Sequence, residues 1–95
     1  MLETNLKEIA ELLKVLANEN RLAIVCNLLE MEMTVSELHK KLSHISQPAL
    51  SQHLAVLKSN KIIDAKRSGL NITYSIKDDK ISKIIQALRD IYCSN

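Results

Sequence analysis

Glycine and proline are nearly missing from this chain of 95 residues: it holds one of each, Gly69 and Pro48. So few breakers leave helix as the dominant conformation. They also leave no glycine-rich loop to cradle phosphates and no Gly-x-Ser-x-Gly nucleophile turn. Phenylalanine and tryptophan are absent, and the aromatic set is Tyr74 and Tyr92. The core must therefore be packed from Leu, Ile, Val and Ala. The carboxylates Asp78-Asp79 and Glu30/Glu32 are surface-like, and a small helical chain rarely builds a catalytic pocket. No catalytic residue and no cofactor is expected. Near the start, the longest uncharged stretch, Leu22–Leu29, is too short to span a bilayer. Met1-Leu2-Glu3-Thr4 has neither the basic nor the apolar region of a signal peptide. A cytoplasmic location with no membrane partner is the expectation. Two cysteines, Cys26 and Cys93, are too few for a closed structural zinc site, which takes four ligands. In a reducing compartment they read as reduced thiols, sensors or ligands rather than a structural staple.

What is present fits one globular domain over 1–95, with 46% apolar and 25% charged residues. A chain this small buries a modest share of its surface, so a partner subunit would add to its core. The net charge is only +2, but it is segregated: residues 1–37 carry −4, residues 38–77 carry +6 and residues 78–95 are neutral. A basic middle segment concentrates phosphate near one face. Charge alone is equally compatible with an ordinary solvated surface.

The hydrophobic period predicts five helices. Leu6, Ile9, Leu13 and Leu16 recur at three and four over about 4–17. Asn18-Glu19-Asn20 interrupts, and Asn20 is placed to cap a second helix over about 21–30, apolar on most sides and hence central. Thr34-Val35-Ser36-Glu37 has the form of a capping box opening a helix over about 35–42, with Leu38 and Leu42 on its inner face. After the turn Ser43-His44-Ile45, Ser46 caps a helix to about Ser59, with Pro48 tolerated in its first turn and Leu50, Leu54 and Leu57 as its buried stripe. The period then changes. Ile62, Ile63 and Ala65, then Ile72, Tyr74 and Ile76, fit two strands around the basic tip Lys66-Arg67-Ser68-Gly69-Leu70-Asn71. Ile81, Ile84, Ile85, Leu88 and Ile91 mark a last helix over about 78–92, with Asp78 and Asp79 complementing its dipole. Helix, helix, helix-turn-helix, hairpin, helix is a winged helix-turn-helix, mainly α with a small β-hairpin. The apolar stripes of the first and last helices are left over, and pairing across a two-fold axis would bury them in a homodimer.

The segment Ser46-Gln47-Pro48-Ala49-Leu50-Ser51-Gln52-His53 sets small or planar polar groups on the helix half that enters the major groove in this motif. Glutamine pairs a donor and an acceptor against adenine, and Ser46, Ser51 and His53 reach bases or phosphates. Lys40, Lys41, Lys58, Lys66 and Arg67 would supply backbone contacts to double-stranded DNA. His39 and His44 read as surface residues, and the three histidines show no metal-ligand spacing. A winged helix can also bind protein, and salt dependence separates the two readings, since only DNA binding falls steeply with salt.

The stretches LLKVLANENRLAIVCNLLE, MTVSELHKKL, SQPALSQHLAVLKSNKII and KRSGLNITYSI together resemble the ArsR/SmtB family of dimeric winged-helix repressors over nearly the whole chain. The resemblance implies a homodimer through the first and last helices and operator binding that an inducer weakens. Arsenic and cadmium sensors of that family carry Cys-x-Cys on the third helix, where this chain has Thr34 and Ser36. Zinc and nickel sensors carry His and acidic ligands on the last helix, which here contains no His. No metal site is expected. The positions of Cys26 and Cys93 resemble one branch, the persulfide-responsive repressors related to the biofilm growth-associated and sulfide:quinone-reductase repressors. The resemblance implies a dithiol within one subunit that reactive sulfur species or another oxidant bridges, releasing DNA. Taken singly, Cys26 on an apolar helix reads as a small buried hydrophobe. A thiophilic-metal site, or silent thiols in an effector-independent antirepressor, are the other readings.

Overall fold

The computed structural model describes residues 3–92, with side chains from Asn5 onward. Its elements run α1 (Glu3–Leu16), α2 (Glu19–Glu30), β1 (Met33–Thr34), α3 (Val35–Lys41), α4 (Gln47–Ser59), β2 (Ile63–Ser68), β3 (Asn71–Ile76) and α5 (Asp79–Tyr92). The three strands form one antiparallel sheet in the order β1-β3-β2. The five helices and the hairpin match the sequence reading; β1 does not appear in it. Two residues are too short to show alternation, and their partners, Tyr74 opposite Met33 and Thr73 opposite Thr34, lie far along the chain.

Local chemistry sets each boundary. At the α1–α2 corner the cap is Asn18, not Asn20: its Oδ1 accepts from the Arg21 N–H at 3.0 Å, and Asn20 lies inside α2. Arg21 Nε donates to the Val15 carbonyl at 2.7 Å, satisfying the open end of α1. Thr34 and Glu37 form the reciprocal capping box, with Thr34 Oγ1 accepting from Glu37 N–H at 3.2 Å and Glu37 Oε1 accepting from Thr34 N–H at 2.9 Å. Thr34 thus ends β1 and opens α3 at once. Ser46 Oγ accepts from Ala49 N–H at 3.3 Å to start α4, and Asp78 Oδ1 accepts from Ile81 N–H at 3.2 Å to start α5.

The end of α4 is a Schellman motif. The Ile62 N–H reaches the Leu57 carbonyl and the Lys61 N–H reaches the Lys58 carbonyl, both at 3.0 Å. Lys61 takes the left-handed conformation this needs, with φ 61°. The hairpin between β2 and β3 turns through Gly69-Leu70, with Ser68 paired to Asn71. Gly69 has φ +64°, and glycine in the first position of a two-residue loop fits a type II′ turn.

The core gathers around α2. Ile24, Val25 and Leu28 meet Leu38 of α3, Leu50, Leu54 and Leu57 of α4, Ile62 and Ile63 at the sheet, and Ile81 and Ile85 of α5. The leftover apolar stripes are real. Leu6 and Leu13 of α1 are each 53% exposed, and Ile91 and Tyr92 of α5 are 69% and 82% exposed. No described helix is long and apolar enough to cross a membrane.

Candidate nucleic-acid interface and thiol pocket

Helix α4 divides cleanly between core and solvent. Leu50, Leu54 and Leu57 are buried, while Ser46, Gln47, Ser51, Gln52 and Lys58 are exposed. At about 100° per residue, Gln52 sits about 200° round the helix from Leu50, pointing straight away from the core. Ser51 is on one shoulder. His53, about 60° from Leu50, is on the other and is half-buried. Gln47 and Lys58 lie about 17 Å apart along the axis at 1.5 Å per residue, which spreads the polar face along the helix.

The wing supplies the second exposed segment. Lys66 and Arg67 are exposed on β2, next to the turn at Gly69-Leu70. An ion pair from Lys77 to Asp64, 3.5 Å long, closes the base of the hairpin and engages the one acid of the basic middle segment. Among the described residues neither Lys66 nor Arg67 forms an ion pair, although Glu32 lines a groove with Lys66. Lys40 and Lys41, at the end of α3, are exposed as well; His39 is half-buried and His44 exposed.

A different face holds Cys26. It is half-buried on α2 and lines an apolar cavity of about 320 Å³ with Leu22 of the same helix and Ile85, Leu88, Arg89 and Tyr92 of α5. A second, adjoining groove is lined by Cys26, Asn27, Glu30 and Arg89. Arg89 Nη1 donates to Glu30 Oε1, an ion pair across the α2–α5 seam. The pair joins residues 59 apart in sequence, so no local pattern marks it. Cys93 lies outside the described residues. The residue before it, Tyr92, is in the wall of the Cys26 cavity. Among the described residues no three His, Cys, Asp or Glu side chains gather as metal ligands.

The family model described as bacterial regulatory protein, arsR family, matches residues 18–64, from the α2 cap into β2. A biofilm growth-associated repressor of Agrobacterium fabrum is 42% identical over 93 residues, covering 98% of this chain and 79% of that protein. The transcriptional activator HlyU of Vibrio cholerae is 37% identical over 97% of this chain and 84% of its own length. A solved structure of that protein superposes with a TM-score of 0.92 at 36% identity, covering 98% of this chain and all 100% of the other. The transcriptional repressor BigR of Xylella fastidiosa superposes with a TM-score of 0.89 at 38% identity, over 98% of this chain and 94% of the other.

Proposed function

Because the chain belongs to the ArsR family of bacterial winged-helix transcription regulators and is not an enzyme, we propose that it is a homodimeric repressor whose Cys26–Cys93 pair switches it off its operator. Ser46, Gln47, Ser51, Gln52 and His53 read the major groove; Lys58, Lys66 and Arg67 hold the phosphates on either side. The observation that carries the DNA reading is the polar, exposed outer face of α4 set on the buried Leu50-Leu54-Leu57 stripe, beside a basic wing. The exposed Leu6, Leu13, Leu88 and Ile91 support pairing of α1 and α5 with those of a second copy.

The cavity that Cys26 shares with Tyr92 supports the switch, because the residue after Tyr92 is Cys93. The chemistry balances with a persulfide as oxidant. The Cys26 thiolate takes the outer sulfur of an RSSH group, and the RS⁻ thiolate leaves. The Cys93 thiolate then attacks the sulfur of Cys26 that is bonded to carbon, expelling hydrosulfide and leaving a disulfide. Two thiols are oxidised and one sulfane sulfur is reduced; a longer, trisulfide bridge takes a second RSSH, which first makes Cys93 a persulfide whose outer sulfur attacks the carbon-bonded sulfur of Cys26 and expels hydrosulfide. The bridge clamps α2 to the end of α5, so it couples the core helix behind the recognition unit to the dimer helices and biases their arrangement.

The test begins with a duplex selected by the wild-type protein from a random 30-bp library, with binding followed by fluorescence anisotropy. Reduced protein binds; a persulfide donor releases it, and the peptides holding Cys26 and Cys93 appear cross-linked by mass. Cys26→Ser and Cys93→Ser each bind DNA and are not released. Normal release of either variant overturns the dithiol switch. Release by a thiophilic metal alone, or by nothing, turns the reading to metal sensing or to an antirepressor.

A further inference from the structure

The groove around Cys26 contains a charge that the switch as described does not use. Arg89 lines both the apolar cavity and the adjoining groove beside Cys26. One arm of its guanidinium, Nη1, is engaged by Glu30. Its Nε–H is buried and has no acceptor among the described residues. Guanidinium cannot be discharged in a protein, so a donor of this kind is permanently offered to an anion. Among the described residues, few charged or titratable groups line the two grooves beside Cys26. Glu30 stands one turn on along α2, Arg89 and Tyr92 come from α5, and the remaining lining residues, Leu22, Asn27, Ile85 and Leu88, are uncharged. On the α1 side, the Arg21 guanidinium is turned to the Val15 carbonyl. Apolar walls alone favour the neutral thiol, and a fixed cation favours the thiolate.

We propose that Arg89 is the positioning residue that keeps Cys26 reactive as a thiolate, and that Glu30, by holding the other arm of the guanidinium, limits how much of that charge the sulfur feels. The inference rests on the reading of Cys26 as the reacting thiol. It assigns the ion pair a chemical task rather than a purely structural one: the anion the cavity receives is sulfur, first the thiolate and then the persulfide anion made from it, each accepting from the spare Nε–H.

The experiment needs no DNA. Reduced full-length protein is alkylated anaerobically with iodoacetamide from pH ~5 to ~10, around the ordinary thiol value of about 8.5, and the peptides of Cys26 and Cys93 are quantified separately. In Arg89→Met the midpoint for Cys26 rises by roughly one pH unit, and the rate near pH ~7 falls about tenfold. Arg89→Lys keeps most of the wild-type profile. Glu30→Gln, at an exposed carboxylate, moves the midpoint down and speeds the reaction. If Arg89 only ties α5 to α2, removing either partner loosens the seam and speeds alkylation of Cys26 in both the Met and the Gln variants. An unchanged or faster Arg89→Met, or shifts of the same sign in Arg89→Met and Glu30→Gln, overturns the proposal. Failure of persulfide to release DNA while these profiles hold would overturn the switch and leave the thiolate assignment standing.

Discussion

Replacing Lys61 by glycine should make the protein more stable. Lys61 sits at φ 61°, just past the end of α4, where it closes the Schellman motif with a 3.0 Å bond from its N–H to the Lys58 carbonyl. An L-residue with a Cβ gives up about 1–2 kcal/mol in the left-handed region. Glycine removes that strain but enlarges the freedom of the unfolded chain, a loss of roughly 0.5–1 kcal/mol. The balance favours Lys61→Gly by about 0.5–1 kcal/mol. For a domain of this size that raises Tm by roughly 4 °C, since 1 kcal/mol is worth about 4–8 °C. Lys61 is exposed and forms no ion pair among the described residues, so little else is lost. Lys61→Ala is the control, because it removes the same charge and keeps the Cβ. Thermal unfolding followed by circular dichroism at matched protein concentration reads the difference, concentration being held because subunit association shifts Tm. A Tm for Lys61→Gly at or below wild type, or equal gains in the two variants, would refute the strain argument.

Leu54, 1% exposed, anchors α4 to the core, and Leu54→Ala should lose about 2–5 kcal/mol in urea titration; a loss under ~1 kcal/mol would mean the helix is held elsewhere. Gln52→Ala should weaken binding to the selected duplex by about 1–3 kcal/mol with an unchanged salt slope. Arg67→Ala should instead flatten the slope of log K against log salt by about one, and the reverse assignment would misplace base and phosphate contacts. Leu13→Asp combined with Ile91→Asp should convert a dimer to a monomer by light scattering, and an intact dimer would locate the interface away from α1 and α5.

Features built from neighbours three or four residues apart were legible in the sequence. The Thr34–Glu37 box and the Ser46 cap are of this kind, as are the Leu50-Leu54-Leu57 stripe and the Gly69 turn. The choice between Asn18 and Asn20 was not: both are good caps two residues apart, and the decision rests with Arg21, whose side chain reaches back to the Val15 carbonyl only if α2 starts at Glu19. Strand β1 and the Glu30–Arg89 pair were invisible because they join distant parts of the chain. Exposure of the α4 residues followed from the angle each makes with the leucine stripe, and His53, nearer that stripe than Ser51 or Gln52, is half-buried. That Cys26 shares a cavity with the end of α5 came from no periodicity at all; only the family resemblance linked Cys26 to Cys93.

Thr34 belongs to two structures at once. As a strand residue it is paired with Thr73 of the wing, and as an N-cap it starts α3. Through that one residue the sheet that carries the wing is joined directly to the helix-turn-helix. If α4 and the wing contact DNA as proposed, such a reader would measure distance as well as letters. On the proposed assignment of α4 and the wing to DNA, this link fixes the span between the two, so a site lengthened by a single base pair, about 3.4 Å along the duplex, would satisfy the helix or the wing but not both. Discrimination by spacing would then persist even where every contacted base is correct.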